Sequence, residues 1–365
     1  MTTDKTGRFT GNGLPVLIGS IPLDSHEKAL DWIFTATPEI PLWPQLPSNP
    51  REQMLPQFAE GVPCIREENP DKTSGRIFYD IAYDGFDAEM LAFYEEYLKV
   101  AESPAELADS RFATSPERAA GLYAFADRVT NATGLVAVKG QVTGPFTMLT
   151  GIKDTQGRAG YFDETIREMT TKGIAMKAAW QTAFLAKTGK PVLMFIDEPA
   201  LAGLGSSAFI SVTTDEIREM INEAAGAIHL AGGLAGIHVC ANTDWSLLLD
   251  SQIDILSFDA YGFFDRLAPL KKQLDAYLDR GGIIAWGGIP TSREEDIRKE
   301  STASLVDLWN TQMESITGPT RGKADILRQT IITPSCGTGS LSPELGQKVL
   351  DLTRSVSMEL RKQYL

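Results

Sequence analysis

Three residues of this chain carry the donor atoms of a soft-metal site: His238, Cys240 and Cys336. They stand in Ile237-His238-Val239-Cys240 and Thr333-Pro334-Ser335-Cys336-Gly337. One imidazole and two thiolates suit zinc among the common metals. Three such ligands with one weaker or open position describe a catalytic site better than a closed structural one. His238 and Cys240 are two apart, so on a strand they project to the same side. Free cysteine is also among the most buried residue types, and His-x-Cys alone would read as ordinary core. A second cysteine, followed by glycine at another strand end in a chain of only three cysteines, favours the metal.

Further polar residues end or interrupt apolar runs. Asp197 and Glu198 follow Val192-Leu193-Met194-Phe195-Ile196. Adjacent carboxylates there are costly to bury unless paired; the site reading gives one of them a substrate ammonium, and the structural alternative is a helix cap with a solvated neighbour. Asp259 ends Ile255-Leu256-Ser257-Phe258 and reads either as an oxygen ligand to zinc or as an acceptor behind one of the ligands. Ile18-Gly19-Ser20 offers backbone N–H groups and a hydroxyl to a carboxylate. Gln141 and Thr143, in a Gly/Thr/Pro turn, and Trp286 fall at other strand ends and are expected at the mouth. His26, His229 and Cys64 are expected to be structural.

The elements that must position these groups alternate. Short apolar runs, expected as strands, cover 14–20, 40–43, 134–141, 191–196, 234–240, 253–259, 282–286 and 331–334. Amphipathic stretches, expected as helices, cover 24–34, 165–188, 214–229, 244–250, 267–279, 292–317 and 343–363. Continuous apolar strands between helices imply a parallel sheet covered on both faces. Eight units imply a (β/α)8 barrel in one domain over residues 1–365, with its reactive groups at the carboxyl ends of the strands. An open doubly wound sheet is the alternative, weakened because no G-x-G-x-x-G turn follows the first strand. Residues 47–131 break the rhythm and read as an insertion, with helical patches at 87–100 and 115–130 and a hairpin near 76–83.

Acidic residues number 48 against 34 basic, a formal charge of −14, which argues against nucleic acid and anionic membrane as partners. The polar first residues lack the core of a signal peptide, no apolar run approaches a membrane span, and three scattered cysteines suit a reducing compartment. The expected location is cytoplasmic.

Taken together, Ile18-Gly19-Ser20, Thr143-Gly144-Pro145, Ile196-Asp197-Glu198-Pro199-Ala200-Leu201, His238-Val239-Cys240 and Pro334-Ser335-Cys336-Gly337 resemble the catalytic half of cobalamin-independent methionine synthase, in the same order and over nearly the whole chain. The resemblance implies a zinc-dependent methyltransferase that makes methionine from homocysteine. It implies zinc on His238, Cys240 and Cys336, with Asp259 where the family has a glutamate. Asp197 would take the amino group of the thiol substrate, and Ile18 with Ser20 its carboxylate. Ser48 stands where a second substrate-gripping glutamate is expected. No tryptophan lies near Gly151 and no histidine between Ile283 and Ser292, two features of folate use. Those departures favour methylcobalamin, or a methylated corrinoid protein, as donor over folate. Alternatives are another thiol acceptor of the coenzyme M kind, a uroporphyrinogen decarboxylase-like lyase, and a zinc-dependent partner of a corrinoid protein that only binds.

Overall fold

Apolar runs without alternation bury both faces of a strand, and these do. In the computed structural model, which describes residues 9–73, 75–206 and 209–365, every residue of six strands of the main sheet is buried. The strands in chain order are β1 (Leu14–Pro15), β2 (Ile65–Glu68), β3 (Arg76–Tyr79), β4 (Val138–Thr143), β5 (Lys153–Asp154), β6 (Val192–Asp197), β7 (Leu234–Val239), β8 (Ile255–Phe258), β9 (Ile283–Ile289) and β10 (Thr330–Pro334). Seven of them form one parallel sheet in the order β1-β10-β9-β8-β7-β6-β4.

The sheet curls. One apolar cluster joins Leu14, Val16, Ala137, Leu193, Phe195, Ile255, Ile283, Ala285 and Ile331, residues drawn from one end of the strand order to the other. They can touch only if the sheet bends around them. Ile40 belongs to the same cluster. Its neighbours make single parallel bridges in both directions, Ser20 with Gln45 and Leu42 with Lys139. Lys139 N–H donates to the Pro41 carbonyl at 3.0 Å, and Gln45 N–H to the Gly19 carbonyl at 3.1 Å. Pro41 and Pro44 have no N–H to give a ladder, so the expected strand 40–43 is reduced to bridges.

Helices cover the outer face, giving a mixed α/β fold. The helix Glu164–Ala186 packs against Thr214–Leu230, and Pro343–Tyr364 against His26–Ala36 and Thr302–Glu314. Thr213 and Glu216 form a capping box at the start of Thr214–Leu230. The single helix expected over 292–317 is two, Glu294–Lys299 and Thr302–Glu314, because Ser301 caps the second against Ser304. The expected strand 134–141 begins four residues later, since Val136 and Ala137 give their N–H groups to the Glu39 carbonyl instead of a ladder. Within 47–131, β2 and β3 pair antiparallel, and β5, from beyond the segment, adds to β3 in parallel. Among the described residues no helix is long and apolar enough to cross a membrane.

One glutamine ties helix to sheet. Gln181 Oε1 accepts from Trp43 Nε1 at 2.8 Å and from the Gln141 N–H at 2.9 Å, and its Nε2 donates to the Gln141 carbonyl at 3.1 Å. Lys177, one turn earlier, has no such relief: its buried Nζ makes no hydrogen bond. Burial pushes its amine down to about 8, with Glu60 opposing the shift. The unfolded lysine keeps its proton up to about 10.4, so between those two values the unfolded state binds more protons and stability rises with pH. Lys177→Met is therefore expected to stabilise the fold at pH 7 by about 1–3 kcal/mol and to make the rise above pH 8 shallower. Urea unfolding from pH 7 to pH 10 measures both; an unchanged slope would show that Lys177 is solvated.

Candidate metal centre

His238 is the penultimate residue of β7, flanked in register by Asp197 on β6 and Ser257 on β8. Alternation turns all three inward with Phe195 and Ile255. Cys240 follows β7 by one residue. Cys336 follows β10 by two, on a turn where Ser335 N–H donates to the Ile289 carbonyl at 2.8 Å. Residues 96 positions apart thus meet: one ligand atom each of His238, Cys240 and Cys336 lie within 4.8 Å of one another. Tetrahedral zinc with bonds of about 2.0–2.3 Å separates its donor atoms by about 3.5–3.8 Å, so the cluster needs to contract by no more than about 1.3 Å.

The decisive atom is His238 Nε2. It is buried and has no hydrogen-bond partner, whereas Nδ1 sits 2.9 Å from Ser257 Oγ. A buried polar nitrogen left bare costs about 1–3 kcal/mol, and a cation held with the two sulfurs would remove that cost. The thiols are unequal. Sharing of the Cys336 proton pulls Cys240 toward the thiolate, aided by the His238 ring, and pushes Cys336 upward. Two cysteine sulfurs, one of them biased toward the thiolate, and a free imidazole nitrogen are the donor set zinc takes.

Asp197 is also buried, and its Oδ1 has no partner. Burial pushes its carboxyl up, opposed by Lys139 and His238. Glu198 faces the other way. It accepts the N–H groups of Phe146 at 2.9 Å and Thr147 at 2.8 Å and the Thr147 hydroxyl at 2.6 Å, closing the amino end of the helix Pro145–Gly151. Gly144 is required there, since a Cβ would stand 2.2 Å from the Glu198 carboxylate. Glu198 is the helix cap of the structural alternative, not a group in the cluster.

Asp259 lies beside the cluster but outside the set of atoms close enough to share an ion. Its Oδ1 accepts the Gly262 N–H at 2.8 Å and caps the helix Ala260–Leu267. Burial pushes it up to about 6, and the Cys240 charge adds to that. The structure thus gives Asp259 the role of a helix cap beside the cluster.

The Ser20 carbonyl accepts from the Thr338 N–H and hydroxyl, both at 3.0 Å, and its Oγ accepts the Gly339 N–H at 3.2 Å. Ser20 therefore clasps the loop that carries Cys336. The Ile18 carbonyl is taken by Lys139 Nζ. Gln141 donates to the Trp43 carbonyl at 3.0 Å, and the Thr143 hydroxyl to the Met54 carbonyl at 2.8 Å.

Two expected mouth residues are elsewhere. Trp286 Nε1 donates to Gln312 on the helix Thr302–Glu314 at 2.6 Å; it faces the helix layer because its neighbour Ala285 faces inward. Ser48 is exposed and donates to the Leu23 carbonyl at 3.2 Å. His26 pairs with the buried Glu52 at 2.8 Å and His229 with Asp254 at 2.7 Å, both apart from the cluster.

Sequence reasoning passed over Lys139 and Ser257. Lys139 is wholly buried, donates to Ile18 and to Gln141 Oε1 at 3.2 Å, and lies 4.6 Å from the centre of the Phe195 ring. Burial pushes its amine down to about 8, with Asp197 pulling the other way. Its signal was a lone lysine inside an apolar run. That of Ser257 was a hydroxyl between Ile255 and Asp259, on the face they share.

Comparison with known proteins corrects the family expectation. No family model matches the chain, and no curated protein matches it. Among solved structures it is similar to a structure of the tandem GH20 catalytic modules of the pneumococcal exo-β-D-N-acetylglucosaminidase StrH, with 9% identity over 95% of this chain and 85% of that one, at a TM-score of 0.46. The similarity reported is thus to a glycoside hydrolase and not to a methyltransferase. The methionine synthase assignment is withdrawn. With it go methionine biosynthesis, the transfer of methyl to homocysteine, and the coenzyme M-type and decarboxylase-type alternatives. Short strings at strand ends recur wherever parallel strands present polar groups, and they do not fix a family. At this level of similarity the activity of the hydrolase does not pass to this chain either.

The cap role of Glu198 has a direct test. Glu198→Ala leaves two N–H groups and one hydroxyl buried without an acceptor, so a loss of about 3–5 kcal/mol is expected. Urea denaturation measures it; a variant of unchanged stability would return Glu198 to the site.

Proposed function

We propose that this chain is a zinc-binding (β/α)8 barrel in which segment 40–45 stands as the eighth strand between β1 and β4. The ion is held by His238 Nε2, Cys240 Sγ and Cys336 Sγ, with one position left for a small ligand. The observation that carries the reading is the buried, unpartnered His238 Nε2 beside two sulfurs, one of them biased toward the thiolate. The bridges of Leu42 and Gln45 support the closure. Zinc in such a site supplies Lewis acidity, which lets a thiol or water at the open position lose its proton near neutral pH.

The residues of the chain do the rest. Asp197 Oδ1, buried and unpartnered in register with His238, takes an N–H or cationic group of the ligand. Lys139 offsets the Asp197 charge from below and fixes the Ile18 carbonyl. Ser20 keeps the Cys336 loop in place through Thr338 and Gly339. Gly337 permits that approach, since a Cβ on it would lie 2.1 Å from Ser20 Oγ. Asp259 adds negative charge behind Cys240 while its helix holds it back.

Elemental analysis of protein purified with added zinc is expected to give one ion per chain. Cys240→Ser and Cys336→Ser should each lose most of it while keeping the far-ultraviolet circular dichroism of the parent. Cobalt-loaded protein should change its visible spectrum when a small thiol is added. Absence of metal uptake would sink the reading; a spectrum indifferent to thiols and to pH would mean that the position is closed.

A further inference from the structure

We infer that Ser257 is a positioning residue of the metal centre: its hydroxyl accepts the Nδ1 hydrogen of His238 and so keeps the ring in the tautomer that offers a bare Nε2. The inference rests on the zinc reading above. Ser257 is fully buried on β8, opposite His238 on β7, with Oγ 2.9 Å from Nδ1. In a neutral imidazole one nitrogen carries the hydrogen and the other the lone pair. If Ser257 donated, the hydrogen would sit on Nε2 and bar a cation from that nitrogen. If Ser257 accepts, the lone pair of Nε2 points at the two sulfurs.

The choice of a hydroxyl also has an electrostatic reason. A ligand histidine is most often backed by a carboxylate or a carbonyl. Here the Asp197 carboxyl, in register with His238, and the Asp259 carboxyl already lie near the cluster. A third carboxylate at position 257 would bury one more negative charge among them. Serine orients the ring without adding charge. Its position on a strand means that register, not a loop, sets the ring plane.

Competition of the protein with a chromophoric chelator measures zinc affinity directly, without any assay of activity. Ser257→Ala is expected to bind zinc about 10–100-fold more weakly than the parent. Metal-free Ser257→Ala should remain folded with a lowered unfolding temperature, because His238 Nδ1 loses its partner, and Ser257→Thr, which restores the hydroxyl, should recover most of the zinc affinity. Imidazole 15N shifts of the zinc-loaded parent should report hydrogen on Nδ1 of His238, a readout that needs no variant. Equal affinity of parent and Ser257→Ala, or hydrogen on Nε2, overturns this inference while leaving the zinc site standing. A parent that takes up no zinc overturns both.

Discussion

Side chains alternate along a strand, so a slip of one residue between neighbours reverses every side chain of the slipped strand. The centre described here depends on that constraint across β6, β7 and β8. Asp197, His238 and Ser257 are opposite one another in register, and all three face the interior with Phe195 and Ile255. A slip in β7 would bring Ile237 and Val239 inward and leave Cys336 without the partners it meets. The apolar interior cluster holds the register from below, because Leu193, Phe195, Ile255 and Ala285 pack together inside the curled sheet. The chemistry at the carboxyl ends is thus set by packing two or three residues earlier on the same strands.

Charge is managed by distance as much as by pairing. Lys139 has no carboxylate bonded to it; a carbonyl and a glutamine oxygen solvate it, and Asp197 acts through space. A chain of amides runs outward from there. Gln141 reaches Trp43, Trp43 reaches Gln181, and Gln45 donates to Gln57, whose own Nε2 meets the Arg118 carbonyl. This connects the interior to the segment 47–131 with groups that carry no net charge, which suits a buried network. The segment also takes the Thr143 hydroxyl on the Met54 carbonyl, so it is fastened to the site's rim and is not a free appendage.

Much of this was legible in the sequence, for a physical reason. Apolar runs long enough to be strands and too short to be helices mark parallel strands, and the polar residues that end them mark one face of the sheet. Hence 191–196, 234–240, 253–259 and 331–334 lie close to β6, β7, β8 and β10, and His238, Cys240 and Cys336 meet. What failed is what needs a partner in space. Glu198 differs from Asp197 only in facing the amino end of the next helix. Trp286 faces a helix because of an alternation set by Ala285. Asp259 is drawn off by Gly262. The reduction of 40–43 to single bridges follows from two prolines, whose effect on a ladder depends on the strands beside them. Several short strings in order do not make a family signature, since some of their residues, such as Glu198 and Ser20, meet local structural needs.

The clasp between Ser20 and the loop of Thr338 and Gly339 has a consequence in time. His238 and Cys240 leave the ribosome 98 and 96 residues before Cys336, roughly 5–20 s earlier at usual synthesis rates. During that interval the chain carries an imidazole and a thiol on the edge of an unfinished sheet, with no third donor. The first strand is already made, but its serine has nothing to hold until the last strand docks beside it. Assembly of the proposed donor set is thereby coupled to the joining of the earliest and latest parts of the sheet, so that set exists only in a chain that has folded through to that end.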